Sequence, residues 1–495
     1  MTHVLAIDAG TTSVTCLMIG NEGQIAGRAC REIPQYFPQP GWVEHDATEI
    51  LDCVRQAARE AIRHAGTPPV ALGITNQRET AVIWERATGR PVHRAIVWQD
   101  RRTSRRTQEL ASRADWIARR TGLLPDPYFS ASKFEWLLRE LRLLDRYEPG
   151  DLAAGTIDSW LVWQLTGGAT HATDPTNASR TMLFDIDRMA WSQPLCDEFH
   201  VPIGMLPEVR RSSGAFGVAL GEHLGADIPI LGIAGDQQAA LWGQGCWTSG
   251  MGKNTYGTGA FLMLHAGPTR PNAHQGLLTT VACDASGGVA YALEAAIFIA
   301  GAAVQWLRDG LGIIRSAGDT DPLARSIPST EGVYFVPALT GLGAPYWEAD
   351  ARGTIVGLTR GTGRAHLVRA ALEAMAYSTA EVLVTMRDSS ACTFARLRVD
   401  GGATSNDWLM QFQSDVLGVS VERPDVIETT ALGAAGLAGL AAGVWRDADE
   451  FLATRTFTTF QPRLDRASAD RLMQGWQRAV RAAVSWARDG NGSTP

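Results

Sequence analysis

The sequence lacks the patterns that mark disulfide-stapled, zinc-binding or nucleic-acid-binding proteins. Its seven cysteines are scattered over 495 residues with no Cys-x-x-Cys pair. An odd, dispersed set is typical of reduced thiols in a reducing compartment. The ten histidines show no metal-ligand spacing, and a net charge of −7 argues against nucleic acid as the main partner.

Long uninterrupted apolar runs are also missing. Glu294 and Gln305 interrupt residues 290–307, and residues 431–444 form too short a run to cross a bilayer. Both segments are therefore predicted to be buried core helices. Because Asp8 breaks the short apolar run at the start, no signal peptide is predicted. We expect a cytoplasmic protein with no membrane insertion.

Length and composition indicate an ordinary globular protein with more than one core. Hydrophobic residues make up 45% and charged residues 20% of the chain, which is typical of folded domains. A chain of 495 residues exceeds what one core supports. We therefore expect two domains.

The central stretch, residues 228–243, predicts a strand, a tight turn and a helix. An apolar run stops at Gly235-Asp236, and an Ala-rich run follows. A carboxylate at the end of a buried strand, beside a helix N-terminus, lies where α/β folds bind ligands. The alternative is that Asp236 only caps the helix. The predicted domains are residues 1–246 and 247–495, with the boundary just after this stretch.

The first turn of the chain has the composition of a phosphate-binding loop. A short apolar strand at residues 4–8 ends in Asp8, and Gly10 with three hydroxyl residues follows (Thr11, Thr12, Ser13). Gly10 offers a close backbone N–H, and the hydroxyls add donors. Asp8 could hold Mg²⁺ directly or through water. The alternative is a hairpin turn in which the Asp bonds its own backbone.

The order of the first elements is typical of a ribonuclease-H-like unit. Strands at 4–8, 14–19 and 24–30 precede a helix near 50–62 and a strand at 70–75. By analogy with the sugar-kinase, heat-shock-ATPase and actin superfamily, we expect an α/β fold in which two such units flank an ATP cleft. A second turn of glycines around Thr258 and a strand ending in Asp400-Gly-Gly would serve its other side.

Six segments carry a closer resemblance: residues 8–13, 73–80, 95–102, 233–240, 254–259 and 399–403. They resemble the FGGY family of carbohydrate kinases, and most closely its glycerol-phosphorylating members. The resemblance spans residues 4–446 and includes two longer patterns, at 128–138 and 353–373. It implies ATP and Mg²⁺ as cofactors, glycerol as substrate, sn-glycerol 3-phosphate as product, and a homodimer or homotetramer.

The resemblance also implies a role for individual residues. Asp236 matches the catalytic base, and Asp8 matches the residue near Mg²⁺. The glycerol hydroxyls would be held by Arg78, Glu79, Tyr128, Asp236 and Gln237, between the aromatic walls Trp98 and Phe261. The nucleotide would be bound by Thr11, Thr12, Ser13, Thr258, Gly301, Gln305, Gly402, Ala403 and Asn406.

Three positions depart from the family pattern. Ala9 stands where Gln is usual, and Thr15 where an arginine near the nucleotide phosphates is common. Asp227 lies where an arginine-containing stretch binds fructose 1,6-bisphosphate in inhibited members, so no such inhibition is predicted. Two alternatives stay open: a kinase for a related polyol or ketose, and a nucleotide-dependent module that has lost catalysis.

Overall fold

The structure is a computed structural model that describes residues 2–273, 276–390 and 392–490. The outermost ends of the two predicted domains, Met1 and residues 491–495, lie outside the described residues. Two α/β halves follow one another along the chain, each built on its own mixed sheet.

Among the residues that the structure describes, the first half contains fourteen strands and nine α-helices. Its strands are β1 (His3–Ala9), β2 (Ser13–Gly20), β3 (Ile25–Glu32), β4 (Glu44–His45), β5 (Ala71–Asn76), β6 (Val82–Glu85), β7 (Ala95–Ile96), β8 (Leu152–Gly155), β9 (Ala172–Thr173), β10 (Phe184–Asp185), β11 (Ala190–Trp191), β12 (Glu208–Val209), β13 (Val218–Ala219) and β14 (Ile228–Gly235). Its helices are α1 (Ala47–Ala65), α2 (Ser104–Glu109), α3 (Ala114–Thr121), α4 (Ser130–Glu140), α5 (Ile157–Leu165), α6 (Pro175–Ala178), α7 (Gln193–Glu198), α8 (Gly221–Leu224) and α9 (Asp236–Gly243).

The main sheet of this half has the order β13-β14-β5-β1-β2-β3. Strands β1, β2 and β3 are antiparallel neighbours, whereas β5 pairs in parallel with both β1 and β14. The predicted ribonuclease-H-like unit is confirmed. Because β1, β5 and β14 run in the same direction, their carboxyl ends meet at one edge of the sheet, and the turns that follow them lie together.

The second half repeats this plan. Its strands are β15 (Met251–Tyr256), β16 (Ala260–Gly267), β17 (Leu278–Cys283), β18 (Val289–Ile297), β19 (Tyr334–Val336), β20 (Thr354–Val356), β21 (Arg396–Asp400), β22 (Ser420–Pro424) and β23 (Phe457–Phe460). Its helices are α10 (Gly301–Gln305), α11 (Thr320–Arg325), α12 (Arg364–Ser390), α13 (Asp407–Leu417), α14 (Thr429–Ala441), α15 (Ala448–Ala453) and α16 (Arg466–Gly490). The sheet order is β17-β18-β16-β15-β21-β22-β23, with β15, β21 and β22 parallel.

The two halves meet through α9 and α14, the helices that follow the last parallel strand of each unit. The Ala/Gly-rich helix α14 packs on β1, β5 and β14 of the first sheet. A Cβ atom at Gly73 would lie 2.1 Å from the Ala434 carbonyl oxygen, so only glycine permits this approach. The buried core helix predicted at residues 431–444 is confirmed as α14. Helix α9 reaches the second half, where Gln238 Nε2 donates to the Val281 carbonyl at 3.1 Å.

The prediction that residues 290–307 form a helix is wrong. Most of its first part belongs to strand β18, and only the short helix α10 follows. Strand β18 is paired on both sides, with β16 and β17, and its residues are buried almost throughout. Such a strand gives a continuous apolar run that resembles a buried helix in sequence. Over the residues that the structure describes, no helix has the length and apolar character needed to cross a membrane.

Candidate active site

The turns after β1, β5 and β14 bring their polar side chains together. Arg78 follows β5, Asp236 begins α9 directly after β14, and Arg78 Nε lies 3.0 Å from Asp236 Oδ1. Asp8, near the end of β1, is close enough for the Asp236 carboxylate to raise its pKa. Three segments that are far apart in sequence thus form one charged cluster at the sheet edge.

Asp236 is anchored on one side and open on the other. Its Oδ1 forms an ion pair with Arg78 Nε at 3.0 Å and accepts a hydrogen bond from the Gln237 backbone N–H at 2.7 Å. No described group donates to Oδ2, and the side chain is 30% exposed. The N-cap of α9 is Gly235, without a side-chain capping bond. Asp236 is therefore the first helical residue and not the N-cap, and its Oδ1 satisfies one first-turn N–H, that of Gln237.

A buried ion network joins the two halves behind this carboxylate. Glu294 on β18 accepts from Arg78 Nη1 and Nη2 at 2.7 and 2.9 Å, and from Arg180 Nη2 at 3.1 Å. Burial acts to raise the pKa of Glu294, but the two guanidinium groups outweigh burial and lower it to about 2. Glu294 and Arg180 were not predicted as site residues. The only sequence signal was a charged residue inside an apolar run.

Glu79 completes the network from the first half. Its Oε1 accepts from Arg180 Nε at 2.6 Å, and its backbone carbonyl accepts from Ser130 Oγ at 3.0 Å. The backbone of Glu79 is left-handed, with φ of 60°, a strained conformation that is common at functional sites. Burial raises the pKa of Glu79, although Arg78 and Arg180 oppose that effect.

The predicted aromatic walls come from both halves. The Trp98 and Tyr128 rings meet edge to face with centroids 5.4 Å apart, and the Arg180 guanidinium lies 5.4 Å from the Tyr128 ring. Phe261 on β16 pairs with Ala296 of β18, two residues from Glu294. Directly paired residues and those two positions along share one face of a sheet, so Phe261 and Glu294 lie on the same side.

The loop that carries Tyr128 is held by a buried lysine. Lys133 Nζ donates to three consecutive backbone carbonyls, those of Pro127, Tyr128 and Phe129, at 2.7, 2.6 and 3.1 Å. Burial lowers the pKa of Lys133 to about 7. Lys133 lies in the family pattern at residues 128–138, but the resemblance assigned it no role. The structure shows that it holds the backbone on both sides of Tyr128.

Both predicted phosphate turns are closed by hydrogen bonds within the turn, and the first of these bonds engages the Gly10 N–H predicted to face a phosphate. The first is closed by a hydrogen bond from Gly10 N to the Ser13 carbonyl at 3.0 Å. The second is closed by a hydrogen bond from Gly257 N to the Gly259 carbonyl at 2.8 Å. Gly301 N donates to the Gly257 carbonyl at 3.0 Å, so the start of α10 lies against the Thr258 turn. A Cβ at Gly301 would approach that carbonyl oxygen to 2.5 Å.

The remaining predicted nucleotide residues lie around α10, β21 and α13. Gly402 and Ala403 form a short 3₁₀ turn after β21, and a Cβ at Gly402 would meet no atom within 4 Å. Asn406 caps α13, since its Oδ1 accepts from Leu409 N at 2.9 Å while its Nδ2 donates to Thr320 Oγ1. Gln305 is exposed at the end of α10. Contact of these residues with a nucleotide stays a prediction.

Asp8 has the properties of a carboxylate that accepts a cation. Burial, together with the nearby Asp236 carboxylate, raises its pKa to about 7. Within the described ranges, no hydrogen-bond donor reaches the side-chain carboxylate of Asp8. In the same ranges, no group of three or more His, Cys, Asp or Glu side chains could hold a metal by itself. Mg²⁺ commonly takes one or two carboxylates and completes its shell with water and phosphate oxygens. The residues present fit that type of site.

At the two departures from the family pattern, no described cationic side chain is free to take the place of the missing arginine. Thr15 Oγ1 lies 3.6 Å from Cys30 Sγ, on the strand that follows the first turn. The neighbouring Arg31 forms an ion pair with Glu60. Ala9 is fully buried in β1. The first predicted phosphate turn therefore offers the hydroxyl groups of Thr11, Thr12 and Ser13, whereas the Gly10 N–H is used within the turn.

Two family models match the chain. The N-terminal domain of the FGGY family of carbohydrate kinases matches residues 3–243, and the C-terminal domain of that family matches residues 252–442. The chain is 53% identical to the glycerol kinase of Halorhodospira halophila, covering 99% of this chain and 98% of the relative. It is 52% identical to that of Chromobacterium violaceum, with 98% and 99% covered. The crystal structure of Plasmodium falciparum glycerol kinase with ADP superposes with a TM-score of 0.93 at 35% identity, covering 98% of both chains.

Proposed function

The chain belongs to the FGGY family of carbohydrate kinases, and we propose that it transfers the γ-phosphoryl group of ATP to a terminal hydroxyl of glycerol. The products are sn-glycerol 3-phosphate and ADP. The observation that carries this proposal is the 3.0 Å contact between Arg78 Nε and Asp236 Oδ1. It fixes a carboxylate at the sheet edge with its second oxygen facing the cleft.

Four residues of the proposed glycerol site each have a polar side-chain atom without a protein partner. In three of them, a buried cationic side chain holds another atom of the same side chain. In the described structure, no hydrogen-bond partner is found for Asp236 Oδ2, Glu79 Oε2, Gln237 Nε2 or the Tyr128 hydroxyl. Arg78 contacts Asp236, Arg180 contacts Glu79, and Lys253 contacts Gln237. The free atoms comprise two acceptors, one donor and one hydroxyl, which suits a small neutral polyol.

The transfer itself needs positioning and a proton acceptor. The terminal hydroxyl oxygen of glycerol forms a bond to the γ-phosphorus while the bond from that phosphorus to the β,γ-bridging oxygen breaks. Asp236 Oδ2 accepts the hydroxyl proton as general base. The aromatic walls Trp98 and Phe261 enclose the carbon chain and exclude water that could otherwise accept the phosphoryl group.

The nucleotide side is proposed on the two Gly/Thr turns. Thr11, Thr12 and Ser13 face the phosphates from the first half, and Thr258 with Gly301 face them from the second. Asp8 would hold Mg²⁺, which neutralises charge on the phosphate oxygens. Gly402 leaves open space at the end of β21 for the flat adenosine, and Ala403 follows it in the same turn. Gln305 and Asn406 would lie at the margin of that space.

Three further expectations are kept as proposals. The domain boundary lies at residues 246 and 247, after the helix α9 that links the halves. The protein is cytoplasmic, a location with which its seven free cysteines agree. It assembles as a homodimer or homotetramer, which size-exclusion chromatography with light scattering would establish.

A coupled assay of ADP release with purified protein tests the proposed function. Glycerol should give the highest kcat/KM in a panel that also contains a tetritol and xylulose. A higher value for xylulose or the tetritol would move the protein to another substrate of the family. ATP hydrolysis without phosphorylated polyol would instead support a module that has lost catalysis, and mass spectrometry of the product separates these outcomes.

A further inference from the structure

Lysine is almost absent from this chain. Of the 45 Lys and Arg residues only two are lysines, Lys133 and Lys253. Both are fully buried, and both lie at the candidate site. Arginine, which serves every other cationic position, has a wide planar head, whereas the ammonium group is compact and has three donors. Each of the two lysines places its compact ammonium group between closely spaced acceptors.

Lys253 lies on the face of the second sheet that is turned toward α9. It pairs with Met263 on β16, which in turn pairs with Glu294 on β18, so these side chains share one face. Lys253 Nζ donates to Gln237 Oε1 and, at 2.7 Å, to Thr255 Oγ1. Burial lowers the pKa of Lys253, and the carboxylates of Asp400 and Asp236 oppose that effect.

The contact with Lys253 decides which way the Gln237 amide points. An ammonium group has donors only, whereas a glutamine amide has an oxygen acceptor and a nitrogen donor. Gln237 must therefore turn Oε1 toward Lys253, and its Nε2 is left for the cleft. The reversed amide would place two donors against each other, which is unfavourable for buried groups.

We propose that Lys253 is a positioning residue that fixes Gln237 as a hydrogen-bond donor to the glycerol hydroxyl that becomes phosphorylated. A hydroxyl that accepts from Gln237 Nε2 has its own proton free for another acceptor. Asp236 Oδ2, on the preceding residue, is that acceptor. Lys253 thereby directs the hydroxyl proton toward the base. The inference rests on the proposed function, because it concerns the same hydroxyl.

The orientation is tested first by Gln237→Glu. This variant keeps an oxygen for Lys253 and replaces the donor by a second acceptor. We expect kcat/KM for glycerol to fall about 10²-fold, as on removal of other active-site donors, with the KM for ATP changed less than about 2-fold. A Gln237→Glu protein with near wild-type kcat/KM would overturn the proposal, because Gln237 would then serve the substrate as an acceptor.

A double-mutant cycle tests whether Lys253 acts through Gln237. Lys253→Met should lower kcat/KM for glycerol about 10-fold in the wild-type background and by less than about 2-fold in a Gln237→Ala background, since contacting residues that act together are not additive. Equal losses in both backgrounds would refute the proposal and assign Lys253 a role in folding or on Asp236. If Lys253→Met does not fold, Gln237→Glu decides alone.

The wild-type assay separates this inference from the function on which it rests. A wild type that does not phosphorylate glycerol rejects both the proposed function and the inference. An active wild type whose Gln237→Glu variant is equally active rejects the orientation alone. Nucleotide affinity and the thermal unfolding midpoint of each variant distinguish a local change at Gln237 from a general loss of structure.

Discussion

Trp98 donates a hydrogen bond from its indole Nε1 to Thr11 Oγ1 at 2.9 Å. Trp98 is a proposed wall of the glycerol site, and Thr11 belongs to the proposed phosphate turn. One bond thus ties the position of the substrate wall to the position of a phosphate ligand. A change in either residue should therefore affect the binding of both substrates.

Trp98→Phe keeps an aromatic wall but removes the Nε1 donor together with the five-membered ring of the indole. We expect kcat/KM to fall about 3- to 10-fold for glycerol and for ATP, because the loss of one hydrogen bond frees the Thr11 hydroxyl. Steady-state kinetics with each substrate varied in turn measures both values. Trp160→Phe is the matched control, since Trp160 Nε1 donates to the Ala47 carbonyl away from the site. A loss confined to glycerol would contradict the coupling.

Asp236→Asn should reduce kcat by about 10²-fold or more, because an amide cannot accept the hydroxyl proton. The affinity for glycerol should change less, since the amide oxygen can keep its contact with Arg78 Nε. Rapid-quench measurement of phosphoryl transfer, with glycerol affinity measured separately, checks both statements. Turnover close to wild type would remove Asp236 from the role of base.

Arg78→Ala should raise the KM for glycerol far more than the KM for ATP. The buried Arg78 guanidinium positions Asp236 and accounts for two of the three hydrogen bonds to Glu294. Its removal leaves Glu294 with Arg180 alone, so we also expect a loss of about 3–5 kcal/mol in unfolding free energy. Arg86→Ala removes a half-buried arginine that bonds the Leu152 carbonyl elsewhere, and it should lower stability without changing the ratio of the two KM values. An equal rise in both KM values for Arg78→Ala would place Arg78 outside the glycerol site.

The positions of the first strands and of the turn after β1 could be predicted from sequence, because strand periodicity and turn residues are local signals. The partners of the site residues could not. Arg78 and Glu294 are separated by 216 residues, and Arg180 and Glu79 by 101. Their contact depends on how two sheets face each other, and a single sequence does not record that arrangement. The buried strand β18 was misread as a helix for a related reason, since full burial removes the alternation that identifies a strand.

Asp8→Asn should stabilise the free protein at alkaline pH and weaken its response to magnesium nucleotide. The folded-state pKa of Asp8 is raised from 3.8 to about 7. Between these values the folded state holds a proton that the unfolded state releases, so Asp8 lowers stability as pH rises through this window. At pH 8 we expect the melting temperature of the variant to be a few degrees, roughly, above that of the wild type. Near pH 4 the two melting temperatures should be equal. Differential scanning fluorimetry checks this, and an equal difference at both pH values would contradict it.

The same variant tests the cation site. Magnesium with ADP should raise the melting temperature of the wild type at pH 8 more than that of Asp8→Asn, because binding to the folded state stabilises it by mass action. ADP with EDTA is the control, and it should affect both proteins alike. If magnesium and ADP stabilise the two proteins equally, Asp8 does not take part in holding the cation.

Fructose 1,6-bisphosphate should not inhibit this enzyme. Asp227 is exposed just before β14, and its Oδ1 accepts from the Gly221 backbone N–H at 2.7 Å. Arg55 and Arg59 lie near this segment, but both are engaged with His223 of α8. The negative charge of a bisphosphate at this segment would be repelled by the Asp227 carboxylate, and the two arginines are already hydrogen-bonded to His223. Initial rates should therefore stay constant up to millimolar bisphosphate. Saturable inhibition that Asp227→Ala strengthens or weakens would show that the segment binds the effector despite its negative charge.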